Sequence, residues 1–143
     1  LVAVVAAGHP WTQRASVPLA ELAVTPLVLR EPGSGTREAL EEALAAKGLG
    51  PPVTALELGS TAAVRMAVTT GSAPTVISGL AVESDLTNGA LVAVEIPGLT
   101  ITRRLRALWP TRRKLPPLAA ALVQQLPAEA GPGTGTGADQ AMS

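Results

Sequence analysis

Residues 26–37, Pro26-Leu27-Val28-Leu29-Arg30-Glu31-Pro32-Gly33-Ser34-Gly35-Thr36-Arg37, decide how the chain folds. Pro26-Leu27-Val28-Leu29 is a short uninterrupted apolar run, the pattern of a strand covered on both faces. Over residues 36–47 the apolar positions Leu40, Ala43 and Leu44 recur at the spacing of one helix face, and Gly48 supplies a stop. Between strand and helix the glycines let the backbone turn sharply. The amides at the head of such a helix, the hydroxyls of Ser34 and Thr36, and the positive end of the helix dipole together favour a bound anion. The Gly-x-x-x-x-Gly-Lys-Ser/Thr pattern of a nucleotide P-loop is absent.

The same grammar recurs twice downstream. Pro51-Pro52 breaks the chain before a strand over residues 53–58, which runs into Gly59-Ser60-Thr61 and a helix over about residues 62–70, ended by Gly71. Thr75-Val76-Ile77 then runs into Ser78-Gly79 and a short helical segment over residues 80–86. Strand and helix in alternation predict an α/β fold of parallel βαβ units with right-handed crossovers. In such sheets ligands lie beyond the carboxyl ends of the strands. All three strands end in glycine with serine or threonine, so the three turns are expected to converge on one edge.

Upstream, residues 1–6 form another apolar strand, Gly8-His9-Pro10 a turn, and residues 16–22 a short helical turn with Ser16 as cap. Downstream, Asn88-Gly89 marks a tight turn, and residues 91–96 are a strand. Residues 101–109 alternate, with Ile101, Leu105, Ala107 and Trp109 on one face and Arg104 and Arg106 on the other. Pro116-Pro117 opens a last helix striped by Leu118, Ala119, Leu122, Val123 and Leu126. Residues 127–143 are rich in Gly, Pro and Thr and are expected to be a disordered tail.

The chain has 143 residues, enough for one domain with a core, and 47% of them are hydrophobic, with mean hydropathy +0.33. That content is mostly Ala, Val and Leu, so the core layers are expected to be thin and aliphatic. Basic and acidic residues balance at 11 each, which gives no support to a general nucleic-acid surface. Six of the basic residues lie over residues 103–114, a run that reads first as a solvated face. With no cysteine and His9 the only histidine, neither a thiolate metal site nor a Ser-His-Asp triad is indicated. No candidate base lies near a candidate nucleophile, no cofactor motif occurs, and no apolar run reaches the ~18 residues of a membrane span. Leu1 starts inside a strand without Met or a basic leader, so the chain reads as a fragment of a longer protein.

Taken in order, these segments resemble the effector-binding domain of LysR-type transcriptional regulators. The resemblance is carried by Leu1-Val2-Ala3-Val4-Val5-Ala6-Ala7-Gly8-His9-Pro10, by Leu19-Ala20-Glu21-Leu22 before Pro26-Leu27-Val28-Leu29-Arg30-Glu31, and by Gly33-Ser34-Gly35-Thr36-Arg37. It continues through Leu56-Glu57-Leu58-Gly59-Ser60-Thr61, Ile77-Ser78 and the return over residues 91–109, so that it spans residues 1–126. It implies a two-lobed fold like type 2 periplasmic binding proteins, with lobe II largely complete over residues 16–92 and a remnant of lobe I in residues 1–15 and 93–126. One wall of the interlobe cleft, and the N-terminal winged helix-turn-helix that binds DNA in this family, are then outside the chain.

The resemblance further implies a cytoplasmic, homo-oligomeric regulator that is not an enzyme and has no membrane partner. It would sense a small anionic effector, and would meet DNA only through the N-terminal domain. The family's effector contacts fall on Arg30, on Ser34, Gly35 and Thr36, on Ser60 and Thr61, and near Ser78. For the serines and threonines helix capping is the competing role. Arg30 could grip an effector carboxylate with both arms or pair with Glu31 or Glu57. A solute-binding receptor of the same fold, or a module used only for association, are the alternative functions.

Overall fold

A computed structural model of the chain describes residues 1–102 and 114–125. The chain divides into two compact units, Leu1–Arg103 and Arg104–Ser143. The first contains, in order, strand β1 (Val2–Ala6), a 3-10 turn (Pro10–Gln13), helix α1 (Leu19–Val24), β2 (Leu27–Arg30), α2 (Gly35–Ala45), β3 (Thr54–Leu58), α3 (Thr61–Thr69), β4 (Thr75–Ile77), α4 (Gly79–Thr87) and β5 (Leu91–Val94). In the second, helix α5 (Pro117–Gln124) opens on its prolines as the sequence indicates. The expected strand over residues 101–109, its Arg104 and Arg106 face, Trp109, Leu126 and the tail over residues 127–143 lie wholly or mainly outside the described residues.

Strand β1 and residues 27–29 of β2 are apolar throughout because helices cover both sides of them, whereas β3, with Thr54 and Glu57, is largely exposed. Leu27 and Leu29 of β2, with Ala3, Val5 and Val76, pack against Leu22 of α1 and Leu40 and Leu44 of α2. Val28, with Val4 and Ile77, points the other way, to Val64 and Val68 of α3 and Val82 of α4. Successive strand residues alternate between two faces, so a strand between two helix layers needs apolar side chains at every position. The core is aliphatic, as composition implies, apart from the buried Trp11, whose Nε1 donates to Glu21 Oε1 at 3.0 Å.

Strand direction differs from the expectation of purely parallel units. β2 and β3 are parallel, with Arg30 opposite Leu58, but β1 runs antiparallel to both β4 and β5 in the order β4-β1-β5. The layer is therefore mixed. An apolar run reads the same in either direction, and nothing in the sequence of β1 records which way it lies. β1 is also the middle strand of its sheet, so residues 1–6 share the core of residues 16–92. The two sheets meet where Val28 N–H donates to Pro74 O (2.8 Å) and the Thr75 hydroxyl donates to Val28 O (2.6 Å). Thr75 is the one polar residue among the buried ones described. Replacing it by Val keeps the volume and removes that donor, which is expected to cost about 1–3 kcal/mol, measurable as a lowered urea midpoint with unchanged slope.

Helix ends follow local chemistry. Gly48 (φ 72°) and Gly71 (φ 82°) take the left-handed conformation after α2 and α3. The next amides bond back into the last turn, Leu49 N–H to Leu44 O and Ser72 N–H to Ala67 O, in the manner of Schellman caps. Asn88-Gly89 makes its tight turn at the end of α4, with Gly89 at φ 77° and Asn88 Oδ1 accepting from Ala90 N–H. Ser16 is not the cap of α1: Pro18 sits immediately before the first helical residue, and its carbonyl accepts the first helical bonds from Glu21 and Leu22. No helix among the described residues is long and apolar enough to cross a membrane.

Candidate functional site

The turn after β2 is built by three residues with fixed habits. Pro32 has a preset φ and Gly33 takes φ 84°, while Ser34 N–H donates back to Glu31 O at 3.1 Å; this is the residue pattern of a type II turn. The turn delivers the chain directly into α2, whose first hydrogen bond runs from Glu38 N–H to Ser34 O (3.0 Å). Ser34 occupies the cap position, but its hydroxyl makes no capping bond. The head of α2, Gly35 included, therefore keeps its favourable potential for an anion without a capping oxygen from Ser34 to satisfy it. Thr36 stands in its first turn.

Parallel pairing of β2 and β3 brings a second helix head alongside. Arg30 lies opposite Leu58, and after Gly59 the chain enters α3 at Ser60 and Thr61. The Arg30 guanidinium crosses to this second turn, its Nη1 donating to Thr61 Oγ1 at 2.8 Å. Ser60 is differently employed, because its hydroxyl accepts from Ala63 N–H at 3.1 Å and so caps α3.

The other donors of Arg30 face Glu31, Nε to Oε2 and Nη2 to Oε1, both at 2.7 Å. Of the partners open to Arg30 on sequence grounds, Glu31 is the one engaged, whereas Glu57 goes to Arg37. The hydrogen bonds from Arg30 hold the Glu31 carboxyl below its ordinary value of 4.5, with a smaller contribution from its own backbone amide, and Glu31 in turn raises Arg30. With the folded value depressed, the pair contributes stability above the ordinary value and loses it as pH falls through the lowered one.

Arg37 is a residue that the sequence pattern did not single out. Its Nε donates to Glu41 Oε1 (2.8 Å), and its Nη1 donates to Glu57 Oε2 (2.8 Å) and Arg30 O (3.2 Å), tying α2 to the ends of β2 and β3. Donating hydrogen bonds to Glu41, then to Glu57, raises its affinity for the proton. Its i,i+4 spacing to Glu41 was a legible sign; its reach to Glu57 depends on strand pairing.

Ser78 does not join this group in any contact. It precedes α4 without a side-chain cap and lines an open recess of about 560 Å3 with Leu1, Val2, Gly79, Leu80 and Glu83 among others. The head of α4 passes close to β1 there, a Cβ on Gly79 lying 3.8 Å from Val2 Cγ1. The two helices on this side are joined by Arg65 Nη1 to Asp85 Oδ2 at 3.1 Å. His9 plays a structural part, since its Nδ1 accepts from Trp11 N–H at 3.1 Å, and partial burial lowers its pKa. Among the described residues no group of three potential metal ligands occurs.

Residues 1–131 match the family model of the LysR substrate binding domain. The chain is 52% identical over 116 residues to an uncharacterized HTH-type transcriptional regulator of Mycobacterium tuberculosis, the match covering 76% of this chain and 36% of that protein. Among solved structures it is similar to the Synechocystis PCC6803 CcmR regulatory domain in complex with 2-PG, with TM-score 0.70, 23% identity, and 86% and 59% of the two chains covered. It is also similar to the effector binding domain of QuiR in complex with shikimate, with TM-score 0.62, 18% identity, and 86% and 57% covered. The chain thus spans about a third of the length of the curated relative it matches.

Proposed function

The chain belongs to the LysR substrate-binding domain family, and on that premise we propose that it is the effector-sensing part of a LysR-type transcriptional regulator, with the Arg30–Thr61 corner as its anion seat. A small anionic metabolite meets the Arg30 guanidinium, the Thr61 hydroxyl and the head of α2 at Ser34, Gly35 and Thr36. Ser60 stands beside Thr61, and Ser78 is assigned to the effector from the head of α4. The observation that carries this reading is the 2.8 Å bond from Arg30 to Thr61, which joins the carboxyl end of β2 to the head of α3 beyond its parallel partner β3. That the CcmR neighbour holds 2-PG and the QuiR neighbour shikimate supports a small-molecule effector.

Residues 16–92 are assigned to one lobe of a two-lobed domain, with β1 and the end of β5 built into its sheet. The facing wall of the cleft comes from sequence outside this chain. The parent is a cytoplasmic homo-oligomer that reaches DNA through a winged helix-turn-helix. Effector binding favours one arrangement of the lobes over another, and that difference in affinity is what alters the setting of the DNA-binding domains. The role in this reading is recognition.

Calorimetric titration of the parent's regulatory domain with a panel of small carboxylates checks the assignment. Thr61→Val removes one neutral hydrogen bond to the ligand and the brace of Arg30, and is expected to weaken binding about fivefold or more. Thr36→Ala is expected to weaken it as well. Wild-type affinity in both variants would take these turns out of the site.

A further inference from the structure

The two arginines of the corner are held in different ways. Arg37 is fixed by two carboxylates from separate elements, Glu41 of its own helix and Glu57 of β3, and by a backbone carbonyl, and its side chain is 17% exposed. Arg30 is held by Thr61 and by a single carboxylate from the next residue in the chain. Among the described residues Glu31 makes no other side-chain ion pair, and its side chain is 39% exposed. Apart from its own backbone amide, Arg30 is the partner that holds it in place, and a rotation about its own side-chain bonds takes it into solvent.

The geometry of that pair is what a guanidinium offers an incoming carboxylate, two parallel N–H···O bonds. From this we infer that Glu31 is an internal competitor seated on the anion site: it occupies the Arg30 fork in the unliganded protein, and an effector reaches the fork only by displacing it. The inference rests on the reading of this corner as the effector seat and adds the residue that sets its threshold. A carboxylate tethered one residue away acts at a high effective concentration. A monocarboxylate brings the same head group and the same charge without the tether, so it loses the contest at ordinary concentrations. A dianion carries a second charge to the heads of α2 and α3 as well as to Arg30, and displaces the glutamate. Glu31 thereby selects for effectors of higher charge and keeps abundant simple carboxylates off the fork.

The test follows the Arg30 Nε–H resonance by NMR in the whole chain while inorganic phosphate or acetate is added, in the wild type, in Glu31→Gln and in Glu42→Gln. Glu42 is exposed on α2 and its replacement makes the same change in net charge. Expected results are a response to phosphate but not to acetate in the wild type and in Glu42→Gln. In Glu31→Gln, phosphate should bind at least fivefold more tightly and acetate should also respond. Equal phosphate binding in the wild type and Glu31→Gln would overturn the competitor while leaving the anion seat in place. An equal gain in Glu42→Gln would overturn it too, by assigning the effect to net charge. No response of Arg30 to either anion in any of the three proteins would overturn both the competitor and the seat on which it rests.

Discussion

Leu44→Ala is expected to destabilise the unit Leu1–Arg103 by about 2–5 kcal/mol, the range for emptying a leucine site that cannot collapse. Leu44 is fully buried and, with Leu40, is what α2 contributes to the core. Its neighbours in that core include Leu22 of α1 and Leu27 and Leu29 of β2, side chains anchored on separate elements that cannot all move inward together. At about 4–8 °C per kcal/mol for a domain of this size, the melting temperature should fall by roughly 10 °C or more. Calorimetric melting measures it, and a fall of a degree or two would mean that α2 is held by something other than its two leucines. The substitution also loosens the helix whose head forms the site, so affinity for anions should drop below the melting temperature as well.

Arg30→Lys should have the larger effect on recognition. Lysine keeps the charge but replaces the planar fork by a single ammonium, which cannot give a carboxylate two parallel bonds and still reach Thr61. Effector affinity is expected to fall by roughly 10- to 100-fold. The melting temperature should stay near that of the wild type, since the ion pair that is lost lies at the surface, where such pairs contribute little. Titration calorimetry and thermal melting of the same sample separate the two effects. A large loss of stability with unchanged affinity would make Arg30 a structural residue.

Much of this arrangement was legible in the sequence because glycine, proline and the small hydroxyl residues act locally. Gly33 after Pro32, and Gly48 and Gly71 after their helices, sit where backbone geometry requires them, and each strand–turn–helix passage was visible from them. The apolar run Leu27-Val28-Leu29 announced a strand covered on both faces, and the helices found on its two sides account for it. Strand direction was not legible, because the side chains of β1 satisfy either orientation; its antiparallel pairing with β4 and β5 is a property of the whole layer.

The site divides in the same way. The helix heads at Ser34, Ser60 and Ser78 follow from local residues, and their use does not. Ser60 caps its helix with its hydroxyl while Ser34 and Ser78 do not. Arg30 joins Thr61 across a distance of 31 residues, which only the parallel pairing of β2 with β3 makes short. The role of Arg37 was not legible for a related reason, since its partner Glu57 stands on β3.

Amide NMR of the parent's regulatory domain, titrated with a panel of small carboxylates and inorganic phosphate, tests the location of the effector seat most directly. Perturbations are expected to concentrate at residues 30–37 and 59–63, where the heads of α2 and α3 flank Arg30. Perturbations confined to the recess around His9, Gly71 and Ala73 at the far end of β1, with residues 30–37 unmoved, would contradict it.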